Sequence, residues 1–212
     1  MLVDICPTIT VDNLHDFNMY IHRVASFALR IHIDLADGEF APRKLLPIDQ
    51  VWWPGGVRAD LHVMYKKPFE HLNTFLALKP QLVIVHAEAE GDFRGFAKAL
   101  HNHGIEVGVA LLPATMPEAI QPALELIDHV MIFSGDLGHY GGEANLSLLT
   151  KIQTLLELKP KLEIGWDGGI NDKNALALMR GSVDVLNVGS FIHDAPDPAV
   201  AHEKLQSLEV EK

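Results

Sequence analysis

Four residues stand out for their chemistry: His32, Asp34, His62 and Asp167. They lie in the apolar runs Leu29-Arg30-Ile31-His32-Ile33-Asp34, Ala59-Asp60-Leu61-His62 and Leu162-Glu163-Ile164-Gly165-Trp166-Asp167, at or near the C-terminal end of each. Two imidazoles and two carboxylates suit one divalent transition metal; Zn²⁺ fits this donor set, and Fe²⁺, Mn²⁺ and Co²⁺ fit it too. A single histidine in such a run is more often an ordinary buried polar residue. Four ligand-type residues at three run ends can act together only if those ends converge, as strand ends do at the mouth of a parallel barrel.

The rest of the chain supplies elements for such a barrel. Apolar runs that read as buried strands cover residues 2–6, 28–33, 59–63, 82–86, 106–111, 129–133, 162–165 and 183–188. Helical periodicity lies between them, over residues 13–27, 93–103, 116–127, 146–158 and 173–179. Asn145 suits the start of one helix, Asn171 or Asp172 the start of another, and Pro117 a first helical turn. Strands alternating with helices imply βαβ units and a parallel sheet. Eight units in 212 residues predict a single (β/α)8 TIM barrel domain over residues 1–212, with an open doubly wound sheet as the competing architecture. Residues 39–58 hold Pro42, Pro47, Pro54, Gly55 and Gly56 and read as a loop over the barrel mouth. Trp52 and Trp53 in it would cover the site, bury an interface or simply pack.

Composition narrows the function classes. A formal net charge of −11 and the lack of a Lys/Arg-rich run argue against a nucleic-acid surface. Cys6 is the sole cysteine, so no intrachain disulfide can form, in keeping with a reducing compartment. No basic segment leading into an apolar one is evident at the N-terminus, and no apolar stretch approaches the length of a membrane span, so a cytoplasmic location is expected.

The ordered motifs resemble those of the ribulose-phosphate 3-epimerase family. His32-Ile33-Asp34-Leu35-Ala36-Asp37-Gly38-Glu39-Phe40-Ala41-Pro42 is similar to its His-x-Asp-x-Met-Asp-Gly-x-Phe-Val-Pro, and Asp60-Leu61-His62-Val63-Met64 to its Asp-x-His-Leu-Met. His86-Ala87-Glu88-Ala89, Gly108-Val109-Ala110-Leu111 with Pro113-Ala114-Thr115, Asp167-Gly168-Gly169-Ile170-Asn171 and Gly189-Ser190 follow in the family's order. Departures cluster around the sugar. Ala36 replaces a Met, and Leu112 replaces an Asn. The N-terminal Pro-Ser-Ile-Leu-Ser-Ala-Asp is shortened to Pro7-Thr8-Ile9-Thr10-Val11-Asp12. The stretch from Phe133 to Glu143 lacks the usual Pro and carries His139-Tyr140 where the family has Pro-Gly-Phe.

The resemblance implies a metal-dependent epimerase that inverts carbon 3 of a ketose phosphate, with D-ribulose 5-phosphate to D-xylulose 5-phosphate as the leading reaction. It implies one divalent ion per chain held by His32, Asp34, His62 and Asp167, and assigns Asp34 and Asp167 as acid and base. Two bases are needed because one group cannot reach both faces of a flat enediolate. The substrate-binding set is expected to comprise Thr8, His62, Met64, Gly141, Gly142, Gly168, Gly169, Gly189 and Ser190, with the glycine loops cradling phosphate through backbone N–H groups. Glu143 and Asp136 would repel a dianion and are expected to point away; His139 and Tyr140 would touch the substrate or form surface loop. Glu88 would orient a ligand or support the rim. Alternatives are C3 epimerisation of a hexulose 6-phosphate such as allulose 6-phosphate, and a sugar-phosphate-binding barrel without turnover. A related decarboxylase fits poorly, since its Asp-x-Lys-x-x-Asp cluster meets His62 in place of the Lys here. A homo-oligomer, dimer or hexamer, is implied as well.

Overall fold

Alternation along each apolar run decides its place in the fold. In the second, Ile31, Ile33 and Leu35 pack with Phe17, Ile21 and Val24 of the helix before it, leaving Arg30, His32 and Asp34 for the opposite face. That split makes the run a strand of a closed sheet, with helices outside and polar residues inside. The computed structural model describes residues 3–137, 139 and 141–208. Among these, eight parallel strands close into a barrel in sequence order. They are β1 (Asp4–Ile9), β2 (Arg30–Ala36), β3 (Arg58–Met64), β4 (Leu82–His86), β5 (Glu106–Leu111), β6 (His129–Phe133), β7 (Glu163–Asp167) and β8 (Val185–Val188). Closure comes from β1 pairing with β8, Asp4 level with Val185 and Pro7 with Val188.

The helices are α1 (Leu14–Val24), α2 (Leu72–Leu78), α3 (Phe93–His101), α4 (Thr150–Leu158), α5 (Ala175–Arg180), α6 (Ser190–His193) and α7 (Pro198–Gln206). Two apolar layers lie between sheet and helices, one under α1–α3 and one under α4–α7. A smaller cluster of Leu82, Ile84, Ala110, Met131 and Phe133 fills one side of the lumen.

Strands β4, β5 and β6 have the bounds their apolar runs predict. The first run is displaced: Leu2 lies outside the described residues, and β1 continues through Thr8 to Ile9, carrying that hydroxyl to the mouth. Strand β2 likewise runs on to Ala36 and β7 to Asp167. The periodicity of residues 116–127 predicts a helix, but the chain forms two 3-10 turns, Pro117–Ala119 and Gln121–Leu126. Pro122 lacks an N–H and its ring clashes with a preceding carbonyl, so a continuous helix cannot pass it. Asn145 caps its helix as expected, accepting from Ser147 N. Asn171 and Asp172 do not begin α5; Asn174 precedes it, and Asn171 closes a local turn by accepting from Lys173 N.

The segment between β2 and β3 folds onto the barrel at two places. Phe40, Ala41 and Leu45 pack with Ala36 and Met64 near the mouth. Trp52 and Trp53 pack against the core under α1, and the Trp52 indole donates to Asn18 Oδ1 at 2.9 Å. The tryptophans thus serve packing.

Candidate active site

Strand pairing brings the four ligand-type residues to one rim. Asp34 stands level with His62 across β2 and β3, and Asp167 stands level with Asn187 across β7 and β8. One ligand atom from each of His32, Asp34, His62 and Asp167 lies within 4.8 Å of every other. All four residues are buried. His62 Nδ1 is 2.8 Å from Asp34 Oδ1 and 3.8 Å from Asp167 Oδ2. His32 Nε2 is 3.3 Å from Asp34 Oδ1, yet neither nitrogen of this fully buried ring has a hydrogen-bond partner. A buried orphan imidazole is costly unless something satisfies it. A divalent ion would do so, and it would also neutralise two carboxylates crowded into one pocket. The cluster therefore fits a divalent ion.

The two carboxyls are electrostatically unequal. Burial works against charge on Asp34, but the neighbouring His32 and His62 outweigh it and hold this carboxyl well below the usual range. Burial and then the Asp34 charge push Asp167 up. One carboxylate and one carboxylic acid is the arrangement this pair favours. Burial also pushes His62 down, to about 4, which leaves its imidazole neutral. The β2 and β7 strands are separated by β1 and β8, so the carboxyls flank that strand pair rather than facing each other across a full barrel diameter.

His62 is held from behind. Its Nε2 lies 2.9 Å from His86 Nε2, at the end of β4. The far nitrogen of His86 points toward Glu88, 3.7 Å away, and Glu88 accepts a hydrogen bond from the Thr115 hydroxyl. Phe40 and Phe133 pack against the His86 ring. The β5–β6 loop that brings Thr115 is itself clamped by buried Lys151 of α4, whose ammonium donates to the carbonyls of Leu112, Pro113 and Thr115 at 2.8, 2.9 and 2.8 Å.

Above the cluster opens a narrow cleft, partly open to solvent. Asp34, Asp167, Thr8, Met64, Gly141, Gly168, Gly169, Gly189 and Ser190 all line it. Gly142 sits beside it, in a neighbouring groove that shares Gly169 and Ser190. Buried Thr8 has a hydroxyl with no hydrogen-bond partner. Met64 both lines the cleft and packs with Ala36, Ala41 and Leu45. Gly168 and Gly169 have φ of 107° and 70°, and a Cβ on either would collide with the backbone of the loop after β6. Only glycine permits the approach of these two loops. His139 is exposed and lines the cleft, while Tyr140 lies outside the described residues. Asp136 and Glu143 are exposed and do not line it.

Three lining residues escape sequence reasoning. Thr10 donates to Asp34 Oδ2 at 2.6 Å. Asn187 lines the wall next to Asp167, with its Nδ2 3.3 Å from Met131 Sδ and its Oδ1 without a partner. Phe133 walls the cleft beside His62. A lone Thr, Asn or Phe in an apolar run carries no pattern; only the register of the barrel reveals these positions.

Fold and cleft together define a (β/α)8-barrel protein with paired carboxyls and a candidate cation site at the C-terminal mouth of its strands. Residues 4–193 match the family described as the Ribulose-phosphate 3 epimerase family. The ribulose-phosphate 3-epimerase of Helicobacter pylori is 32% identical over 186 residues, covering 84% of this chain and 85% of that one. That of Aquifex aeolicus is 26% identical over 185 residues, covering 84% and 83%. Among solved structures, 3-hexulose-6-phosphate synthase from Salmonella typhimurium superposes with a TM-score of 0.70 at 17% identity, covering 96% of this chain and 96% of that one, a likeness of fold. The chain belongs to the ribulose-phosphate 3-epimerase family, and it is an isomerase, an epimerase acting on carbohydrates. No helix among the described residues is long and apolar enough to cross a membrane.

Proposed function

We propose that this protein interconverts D-ribulose 5-phosphate and D-xylulose 5-phosphate by moving a proton at carbon 3 between Asp34 and Asp167. The observation that carries this reading is the meeting of two buried carboxyls in a single cleft, Asp34 with its pKa lowered by the neighbouring histidines and Asp167 with its pKa raised by burial and by Asp34. The ionised carboxylate takes the carbon-3 proton from one face of the substrate. The protonated carboxyl returns a proton to the other face, so configuration inverts and the pair exchanges protonation states. Catalysis in the reverse direction starts from the exchanged pair. A divalent ion held by His32, Asp34, His62 and Asp167 would supply positive charge that stabilises the enediolate. The ligand set does not select among Zn²⁺, Fe²⁺, Mn²⁺ and Co²⁺.

The remaining residues bind and orient. The unpartnered Thr8 hydroxyl is available to a substrate hydroxyl, Met64 bounds the reacting carbons, and backbone N–H groups around Gly141, Gly142, Gly168, Gly169, Gly189 and Ser190 receive the phosphate. His62 is fully buried and does not line the cleft, so it would act on the substrate through the cation it helps to hold. Backbone donors suit an acidic chain, which has no Lys or Arg side chain lining this cleft among the described residues. A hexulose 6-phosphate is the second reading, favoured by His139 standing on the cleft wall where the family motif has none.

The test is turnover of ribulose 5-phosphate in a coupled assay after reconstitution with each of the four metals. Asp34→Asn and Asp167→Asn are expected to lower kcat by ~10³-fold or more. Each is expected to lose solvent-deuterium incorporation in at least one direction of reaction. Incorporation retained fully in both variants overturns the two-base scheme.

A further inference from the structure

The two oxygens of Asp34 face different surroundings. Oδ1 faces the histidines, 2.8 Å from His62 Nδ1 and 3.3 Å from His32 Nε2. Oδ2 faces the other way and accepts a 2.6 Å hydrogen bond from the Thr10 hydroxyl. Register explains why Thr10 can reach it. Thr8 is level with His32 and Ile9 with Ile33, so the next residue comes level with Asp34 just beyond the end of β1. Thr10 is half-buried and lines the same cleft as Asp34 and Asp167.

We infer that Thr10 is a positioning residue for Asp34: its hydroxyl fixes the plane of the carboxylate so that Oδ1 stays with the histidines and Oδ2 stays turned toward the cleft. This rests on the epimerase reading given above. A carboxylate held at one oxygen only can rotate about its last bond, which is broad and roughly two-fold, and exchange or share the roles of its oxygens. Thr10 removes that freedom. A hydroxyl suits the task because it donates to a carboxylate and can turn to accept from a carboxylic acid. The contact therefore survives whichever protonation state Asp34 adopts during turnover. The grip is short and made to a charged acceptor, the stronger kind of hydrogen bond.

Thr10→Val removes the hydroxyl while keeping the branched shape, and Thr10→Ser keeps the hydroxyl. Both are compared with the wild-type chain for thermal unfolding, for kcat and KM with ribulose 5-phosphate, and for Zn²⁺ affinity by chelator competition. Thr10→Val is expected to lower kcat about tenfold, the loss of roughly 1.4 kcal/mol in the transition state, with KM changed by less than about twofold. It is also expected to weaken Zn²⁺ binding severalfold, because the ligand carboxylate is no longer held in place. Thr10→Ser is expected to restore most of both. Equal kcat and equal Zn²⁺ affinity for Thr10→Val and wild type, in proteins that melt alike, overturns the inference. So does a Thr10→Ser protein no better than Thr10→Val. If the wild-type chain turns over no ribulose 5-phosphate, the proposed function fails and the Zn²⁺ comparison alone decides the role of Thr10.

Discussion

Thr8 shows what the proposed substrate-binding role would cost a single residue in stability. Its hydroxyl is buried with no hydrogen-bond partner, and the residue lines the cleft at the level of His32. An unsatisfied buried hydroxyl costs about 1–3 kcal/mol, whereas an apolar group of the same shape costs nothing there. Thr8→Val is therefore expected to melt at the wild-type temperature or above it while KM for ribulose 5-phosphate rises several-fold. Thermal unfolding beside steady-state kinetics checks both, and a variant that loses stability with unchanged KM would make Thr8 a structural residue. His32 is the same situation with a larger penalty, since both nitrogens of its buried ring lack partners. Residues of this kind were legible in the sequence when their type was rare for an apolar run. His32, Asp34, His62 and Asp167 announce themselves in that way. Thr10 and Asn187 do not, because their roles come from the level at which strands pair rather than from residue type.

At the scale of elements, the cluster is backed by β4, the β5–β6 loop and α4 as well as by the strands that bear its four candidate ligands. With Nδ1 given to a cation, a neutral His62 would carry its proton on Nε2, the nitrogen that meets His86 at 2.9 Å. His86 then accepts there and presents its other N–H toward Glu88. Partners of this sort fix the tautomer and ring orientation of a metal ligand, and losing one typically costs roughly 10–100-fold in metal affinity. His86→Leu is expected to weaken Zn²⁺ binding by about that factor, read by chelator competition, while His86→Gln, which can still accept and donate, recovers part of the loss. Unchanged affinity in His86→Leu would leave His86 as packing for Phe40 and Phe133. The sequence motif His86-Ala87-Glu88-Ala89 placed these residues at a strand end but left the task of Glu88 open, since the contact with His62 spans two strands. The strands themselves were legible because inward and outward residues alternate along them. The region after β5 was not, because its apolar spacing imitates a helix that Pro122 prevents.

At the scale of the whole molecule, the end of the barrel opposite the cleft is closed by a network of charges. Arg30 of β2 donates to Asp60 at 2.7 Å, to Asp4 at 3.1 Å and to both oxygens of Glu163 at 2.9 Å, and His129 Nδ1 meets Glu163 Oε2 at 2.7 Å. Five strands, β1, β2, β3, β6 and β7, are thereby tied across the lumen by directional bonds that apolar side chains could not supply. Burial works against charge on Glu163, but the hydrogen bonds from Arg30 and His129 outweigh it and hold the carboxyl far below its ordinary value. A depressed folded-state pKa adds stability that is complete above the unfolded value, about 4.3 for a Glu, and is lost as pH falls below that value toward the folded one. Glu163→Gln lacks this contribution at every pH. The wild-type chain is therefore expected to exceed Glu163→Gln in urea midpoint by a constant margin from about pH 5 to 7, and the margin is expected to shrink steadily as pH drops through about 4 to 3. The cleft at the other end of the barrel takes no part in this comparison, so the same shrinkage is expected with Asp34→Asn as the background. A margin that stays level down to about pH 3 would mean that Glu163 is not held by its ionised form and that the network ties the barrel through packing alone.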